Sequence, residues 1–533
     1  MSVHVATAKS QGGDVGGGVI HTAAAGVLLG VALVTFCRTA WLCDDAFITL
    51  RTVDNFVHGY GLRWNVGERV QAYTHPLWLG VLAAGRLASG EVYYTSILLS
   101  IALSLGALII FARHLGHRTA ALALGLVALV SSRAFVDYST SGLENPLSHL
   151  LLAIVIGGGL ASGSTPHPLA ICTAAGLLLI NRLDLAVLIL PLSLAYLAAA
   201  RHRVTLSAAL LIPLVAWEVF SLIYFGFPFP NTAYAKLNTS VPERELFAQG
   251  LLYLRNSVRT DPVTIAVIAC ALGVALRQRR RYDLALAGGI LAYVGFVVWI
   301  GGDFMSGRFL AAPFFASVLL LTLPRRLPRE TVPALTAAAL TLALSALGHP
   351  TPAYASGRHY GAGDRMFDAS LEDHGINDER RFYFQHTGLL RQRRRAPVDH
   401  PWAQDALEVR QKGPTVVVRG NVGFFGYFAG PGVTIIDYYA LTDPLLARLP
   451  SKRKWRIGHF TRIMPDDYPA TVQTGSNHLV DPDLAGFYSD LQVITRGPVW
   501  RVGRFRLIAR AMLGRDRARP AAYVERLRRS GYQ

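Results

Sequence analysis

The sequence predicts a polytopic α-helical membrane protein that continues into a smaller C-terminal α/β domain. Three observations carry the prediction. Of 533 residues, 52% are hydrophobic and only 16% charged, whereas a soluble domain carries about 25% charged residues. Apolar runs of span length, roughly 17–25 residues, recur between residues 19 and 347. Beyond residue 348 those runs stop, and the chain becomes polar and aromatic, with short β-branched stretches.

The runs fall near 19–41, 92–112, 119–135, 145–161, 205–225, 262–276, 284–300, 309–323 and 331–347. Residues 167–200 are long enough for two spans joined by a turn at Asn181-Arg182-Leu183-Asp184. The expected total is about eleven transmembrane helices, counted by length. The stretch 76–90 is short and contains Arg86, so it reads as a juxtamembrane or re-entrant helix.

Charge orients the spans. Basic loops occur at Arg113–Arg118, Arg201–Arg203, Arg277–Arg281 and Arg325–Arg329, and short basic loops face the cytoplasm. That places residues 1–18 inside as a flexible N-terminus. It places 42–91, 138–146, the Arg182 turn, 226–261, 301–308 and everything after 348 on the outer face of the plasma membrane. The net charge of +18 then belongs to the cytoplasmic membrane face and to phosphate-bearing lipids, and nucleic acid is not an expected partner. The four cysteines, Cys37, Cys43, Cys172 and Cys270, form no CxxC pair and read as apolar filler.

In the tail, TVVVR (415–419) and VTIID (433–437) are strand-like and flank a glycine-rich turn and a short helix. The turn lacks the GxGxxG spacing of a dinucleotide site and reads as close packing. The expected organisation is a transmembrane catalytic domain over 19–347, with an external loop at 42–91, and a soluble external domain over 348–533, within the usual size range.

The chemistry-bearing residues gather on the expected outer face. Asp44 and Asp45 follow the first span, and carboxylates so close to a membrane are costly unless used. They suit a general base, or a divalent cation (Mg, Mn or Ca) bridging a phosphate. Capping the next helix is the plain alternative. Arg308, Lys236 and Arg182 are candidate cations for a lipid phosphate. Against these roles stand an Arg308–Asp303 ion pair and a Lys236 that snorkels to the interface. Glu68, His75, Tyr73, Trp64, Glu144 and Asp303 are candidate substrate contacts; the aromatics among them serve equally as interface anchors.

In order along the chain, DDAFITLR (44–51), GYGLRWNVGERVQAYTHPLW (59–78), SGLEN (141–145), FGFPFPNTAYAK (225–236), GGDFMSGRF (301–309) and GYFAGPGVTIIDYYALTDP (426–444) together resemble the mycobacterial terminal β-arabinofuranosyltransferase family, of the GT-C class. The resemblance implies a GT-C fold and a lipid donor, arabinofuranose on decaprenyl or another polyprenyl phosphate. It implies an acceptor in a cell-envelope glycan, arabinogalactan or lipoarabinomannan, and transfer outside the membrane. It also implies an acidic residue of the first external loop at the reaction centre, which matches Asp44-Asp45. A GT-C enzyme moving another polyprenyl-linked sugar to lipopolysaccharide or pilin is the alternative. A non-enzymatic polysaccharide-binding or transport protein is the second.

Overall fold

The computed structural model describes residues 13–115, 118–160, 168–323, 352, 358–364, 372–391 and 398–529. Its first half is helical throughout: α1 (Gly13–Thr39), α2 (Asp44–Val57), α3 (Pro76–Ser89), α4 (Tyr93–Leu115), α5 (Thr119–Ser131), the short α6 (Arg133–Asp137), α7 (Asn145–Leu160) and α8 (Pro168–Asn181). It continues with α9 (Ala186–Ala199), α10 (Arg203–Tyr224), α11 (Asn231–Leu237), α12 (Glu243–Thr260), α13 (Pro262–Gln278), α14 (Arg281–Trp299) and α15 (Ala311–Thr322).

Each expected apolar run within the described residues is a helix; the run 331–347 and the basic loop at Arg325–Arg329 lie outside them, as do residues 1–12 and His117. By length and composition, four helices among the described residues are able to cross a membrane: Thr22–Thr39, α4, α10 and α14. Taken as one span, the pair α12 and α13 makes a fifth, but that pair is bent by 107°. Five more apolar helices have 10–17 residues. The count of eleven is therefore not established, because a run of apolar letters includes loop residues that the helix itself gives up to caps and turns.

Helix ends meet in two places. At one end, the start of α7 (Glu144, Ser148) meets the end of α8 (Asn181), and Arg308 before α15 reaches Glu144. At the other end Arg118, before α5, donates to the carbonyl of Leu323, just past α15. α3 is a separate short helix started by Pro76 and closed by Gly90 in the left-handed conformation; it packs on α2, α4 and α8.

The C-terminal region holds a two-residue antiparallel pair, β1 (Glu372–Asp373) with β2 (Ile376–Asn377), then α16 (Glu379–Thr387) and α17 (Pro401–Gln411). There follows the expected strand–helix–strand unit: β3 (Thr415–Arg419), α18 (Val422–Ala429) and β4 (Val433–Asp437). Its two strands are parallel, with Thr415 opposite Val433 and Arg419 opposite Asp437. α19 (Tyr468–Thr474), α20 (Pro482–Arg496), α21 (Val502–Met512) and α22 (Ala518–Arg529) complete the chain.

This region is seated directly on the helix ends. Phe424, Tyr383, Ile457 and Phe460 share one buried core with Trp41, Phe47 and Trp78. Arg51 of α2 lies 4.4 Å over the Trp64 ring and donates to the carbonyls of Trp64, Gly426 and Val433. Asn65 pairs with both backbone groups of Ile435, at 3.0 and 3.1 Å. The 59–75 loop is thereby fastened along β4.

Candidate active site

Two adjoining cavities open between the helix ends and the C-terminal region. The smaller holds about 150 Å³ and is lined by Asp44, Asp45, Tyr73, His75, Asp437 and His459 among others. The larger holds about 720 Å³ and is mostly apolar, with Trp217, Phe229, Leu246, Phe296, Trp299 and Phe309 in its wall. Thr74, Ala233, Lys236, Arg308 and Gly458 line both. Two cations therefore stand where an apolar chamber meets an acidic one.

Asp44 and Asp45 are adjacent in α2 but do different things. α18 begins at Asn421, which is left-handed and gives its helix no side-chain cap. Its first N–H groups need an acceptor, and the Asp44 carboxylate supplies one, taking the amides of Gly423 at 3.0 Å and Phe424 at 2.7 Å. Any side chain at Gly423 would collide with the Asp44 backbone. Burial pushes the Asp44 carboxyl up to about 7, against the pull of those two amides. The capping expected of this pair thus exists, but across 379 residues of chain and not within α2.

Asp45 makes no hydrogen bond or ion pair among the described residues. Its acidity is lowered by burial, while Arg308 and Lys236 oppose that shift. Glu379, at the start of α16, is a buried carboxyl whose acidity is lowered first by burial and then by Asp45. Nothing in its sequence context singled it out.

Arg308 sits between two acids. Its guanidinium is 3.2 Å from Glu144 and 3.5 Å from Asp303, so the Arg308–Asp303 pairing exists and leaves Arg308 in the wall of both cavities. Glu144 is 1% exposed. Burial alone would raise its carboxyl; the charges of Arg308, His75 and Arg182 outweigh it and hold the group down to about 2. His75 bridges Thr49 at 2.8 Å and Glu144 at 3.3 Å, and burial drives the ring down to about 4, so it is neutral. Lys236, at the end of α11, is exposed and forms no ion pair among the described residues.

Arg182 lines the larger cavity but is already engaged: it donates to Asp184 and, at 2.9 Å, to the Tyr293 hydroxyl, and stands 3.6 Å from Glu144. Tyr73 lines the smaller cavity, with its hydroxyl buried and unsatisfied among the described residues. Two sequence candidates lie elsewhere. Trp64 is fully buried beneath Arg51. Glu68 pairs with Arg496 at 3.3 Å and lines neither cavity. Both are spent on fastening the loop to the C-terminal region. Conversely, Asp437 and His459 line the smaller cavity, although neither is among the site residues expected from the sequence. The His459 ring lies 4.5 Å from Phe304 and 5.0 Å from Tyr439.

Among the described residues no three His, Cys, Asp or Glu side chains converge. Both Asp44 oxygens are committed to amides, and the positive charges of Arg308 and Lys236 act on Asp45.

Comparison with known proteins adds to this geometry. No family model matches the chain. A terminal β-(1→2)-arabinofuranosyltransferase of Mycobacterium tuberculosis is 28% identical over 519 residues, covering 80% of this chain and 81% of that protein. One of Corynebacterium glutamicum is 30% identical over 332 residues, 52% of this chain and 47% of that protein. The chain is a homologue of these arabinofuranosyltransferases. The resemblance read from the ordered motifs therefore stands. ArnT from Cupriavidus metallidurans, in its apo crystal structure, aligns over 81% of this chain and 77% of its own, with a TM-score of 0.42 and 16% identity. That likeness is too loose to bear on fold or function.

Proposed function

We propose that this arabinofuranosyltransferase homologue is a polytopic membrane glycosyltransferase that moves arabinofuranose from decaprenyl, or another polyprenyl, phosphate to a cell-envelope glycan such as arabinogalactan or lipoarabinomannan. The observation that carries the reading is the wall shared by the two cavities. An apolar chamber of about 720 Å³ suits a polyprenyl chain, and it ends at Arg308 and Lys236. Beyond them lies a polar cavity of about 150 Å³ with a carboxylate on its surface.

In this reading the donor phosphate rests against Arg308 and Lys236, and the sugar projects into the smaller cavity. The acceptor hydroxyl oxygen attacks the anomeric carbon, the bond from that carbon to the phosphate oxygen breaks, and the electron pair leaves with the phosphate. Charge stabilisation there is the largest catalytic contribution, and the two cations are positioned for it. Asp45 takes the hydroxyl proton. Its raised pKa suits that role, because a base works best when its pKa approaches the working pH. Asp44 holds α18, and with it the far wall of the cavity. Arg182, Glu144 and His75 keep Arg308 in place. The site-bearing end of the bundle faces outward in the plasma membrane, on the strength of the basic loops at the opposite end.

The test is transfer from radiolabelled polyprenyl-phosphate arabinose in membranes carrying Asp45→Asn. Loss of transfer with normal expression is expected. Full activity in that variant would sink the assignment of the base. Consumption of a different polyprenyl-phosphate sugar, with arabinose untouched, would replace the sugar and keep the site.

A further inference from the structure

The last described helices carry a surface that the transfer reaction does not use. In α21 the buried face is narrow. Arg504, fully buried, donates to the carbonyls of Ile223 at 2.7 Å and Tyr224 at 2.9 Å. These belong to the last turn of α10, one of the four helices long and apolar enough to cross a membrane. Ile508, one turn on from Arg504, packs beside Gly226, just past the same end. α21 is thus pinned where a span leaves the hydrocarbon.

Its outward side is apolar at helical spacing. Val502, Phe505, Ala509 and Met512 follow at steps of three, four and three residues, which puts them on one stripe with Leu513. Val502 is 66% exposed, Met512 55% and Leu513 68%, and Trp500 just before the helix is 75% exposed. Arg501 and Arg506 flank the stripe, and Arg515 and Arg517 follow it; all four are exposed and make no ion pair among the described residues. A second helix at this end behaves alike. α12 turns 107° from α13 and exposes Phe247, Leu251 and Val258.

We propose that α21 and Trp500 lie in the headgroup layer of the bilayer at the site-bearing end, with the apolar stripe at the acyl boundary and the arginines on anionic phospholipid headgroups. An amphipathic helix with a basic margin and a terminal tryptophan binds such an interface, and each arginine near an anionic surface adds to the attraction. Two features select the bilayer over a protein partner. The stripe is continuous with the end of a span whose own Leu211, Ile212, Val215 and Val219 are exposed, and the exposed charges along it, Arg501, Arg506, Arg515 and Arg517, are all positive, the nearby Asp516 being buried and paired with Arg510. The helix would hold α20 at a fixed height, and α20 carries the Arg69 and Arg496 ties to the 59–75 loop that walls the active site. The proposal rests on α10 being a span and is independent of which sugar is moved.

The full chain in nanodiscs tests it. The emission of Trp500 is the difference between the unaltered chain and Trp500→Phe, recorded with brominated phosphatidylglycerol or brominated phosphatidylcholine in the bilayer. A blue-shifted component that loses most of its intensity to brominated lipid is expected, with stronger loss to the anionic one. The combined Arg501→Gln and Arg506→Gln variant should abolish that preference while leaving quenching in place. A water-like component untouched by either lipid overturns the proposal. So does a component shielded from both lipid and aqueous quencher in a chain that is dimeric in detergent, which would assign the stripe to a second copy. Equal quenching by the two lipids overturns the anionic headgroup contact.

Discussion

The two cavities that meet at Arg308 and Lys236 are made of different material, and the contrast supports the division of labour proposed for them. The larger is walled mainly by side chains from helix ends and loops of the bundle, with Ile457, Gly458 and Phe460 from the C-terminal region, and its Arg182 and Asp184 satisfy one another together with the Tyr293 hydroxyl. The smaller is walled by the first loop on one side and the C-terminal region on the other. There, carboxyls are held at raised pKa by burial, Asp44 at about 7 and Asp437 at about 6. The larger chamber is the more apolar of the two, while the smaller gathers Asp44, Asp45 and Asp437 on its wall. The cations on the boundary belong to both.

The comparison can be broken most severely at Arg308. Arg308→Ala should lower transfer by about 10²- to 10³-fold through lost charge stabilisation. It should also cost about 3–5 kcal/mol of stability, because Glu144 and Asp303 stay buried without their partner. Transfer in membranes together with melting in detergent separates the two losses. Arg308→Lys, which keeps the charge and loses the fork, should recover most of the stability and little of the rate.

Next comes the aspartate pair. Asp45→Asn should lower kcat by about 10²- to 10⁴-fold, the range for a positioned base, with the melting temperature unchanged. Asp44→Ala should do the reverse, costing about 1–2 kcal/mol by uncapping α18 with a smaller effect on rate. Equal rate losses in the two variants would erase the distinction drawn between them.

The pH dependence sharpens the same point. Asp44 is raised from its ordinary value near 3.8 to about 7 in the folded chain. The folded state therefore holds this proton more tightly than the unfolded one. The stability this contributes is fully present below about 3.8 and is lost as pH rises through about 7. Asp437, raised to about 6, acts in the same direction. Melting temperatures across this range should fall more steeply for the unaltered chain than for Asp44→Asn, whose amide does not titrate.

The smallest effects belong to groups at the edges. Lys236→Gln should lower kcat by about tenfold, less than Arg308→Ala, because Lys236 is exposed to solvent that screens its charge. Glu68→Gln should cost at most about 1 kcal/mol of stability and leave the rate nearly intact. A large rate loss at Glu68 would mean that the 59–75 loop reaches substrate in a way its tie to Arg496 does not suggest.

Much of this was legible in the letters. Apolar runs located the helices, because a span needs continuous apolar length whatever its neighbours are. Strand, turn, short helix and strand were readable at 415–437, because β-branched runs and glycine act locally. Asp44, Asp45, Lys236, His75, Glu144, Asp303 and Arg308 were all singled out, since charged residues beside apolar runs stand out. Trp64 and Glu68 were singled out on the same grounds, yet their side chains are spent on Arg51 and Arg496. Glu379, Asp437 and His459 were passed over because nothing adjacent to them in sequence marks them. Their positions depend on segments far away along the chain.

What is local or additive can be read from the letters: apolar helices, short basic loops between some of them, acidic and aromatic loops between others, and a strand–helix–strand unit in the tail. Only the tertiary structure decided which aspartate is free. Asp44 and Asp45 are equivalent as letters, and both begin the same helix. The difference arises because α18 arrives, from nearly 380 residues away, with its first amides unsatisfied and aimed at one of them. A buried N–H must find an acceptor, and the carboxylate that meets it is lost to chemistry while its neighbour stays open to the cavity.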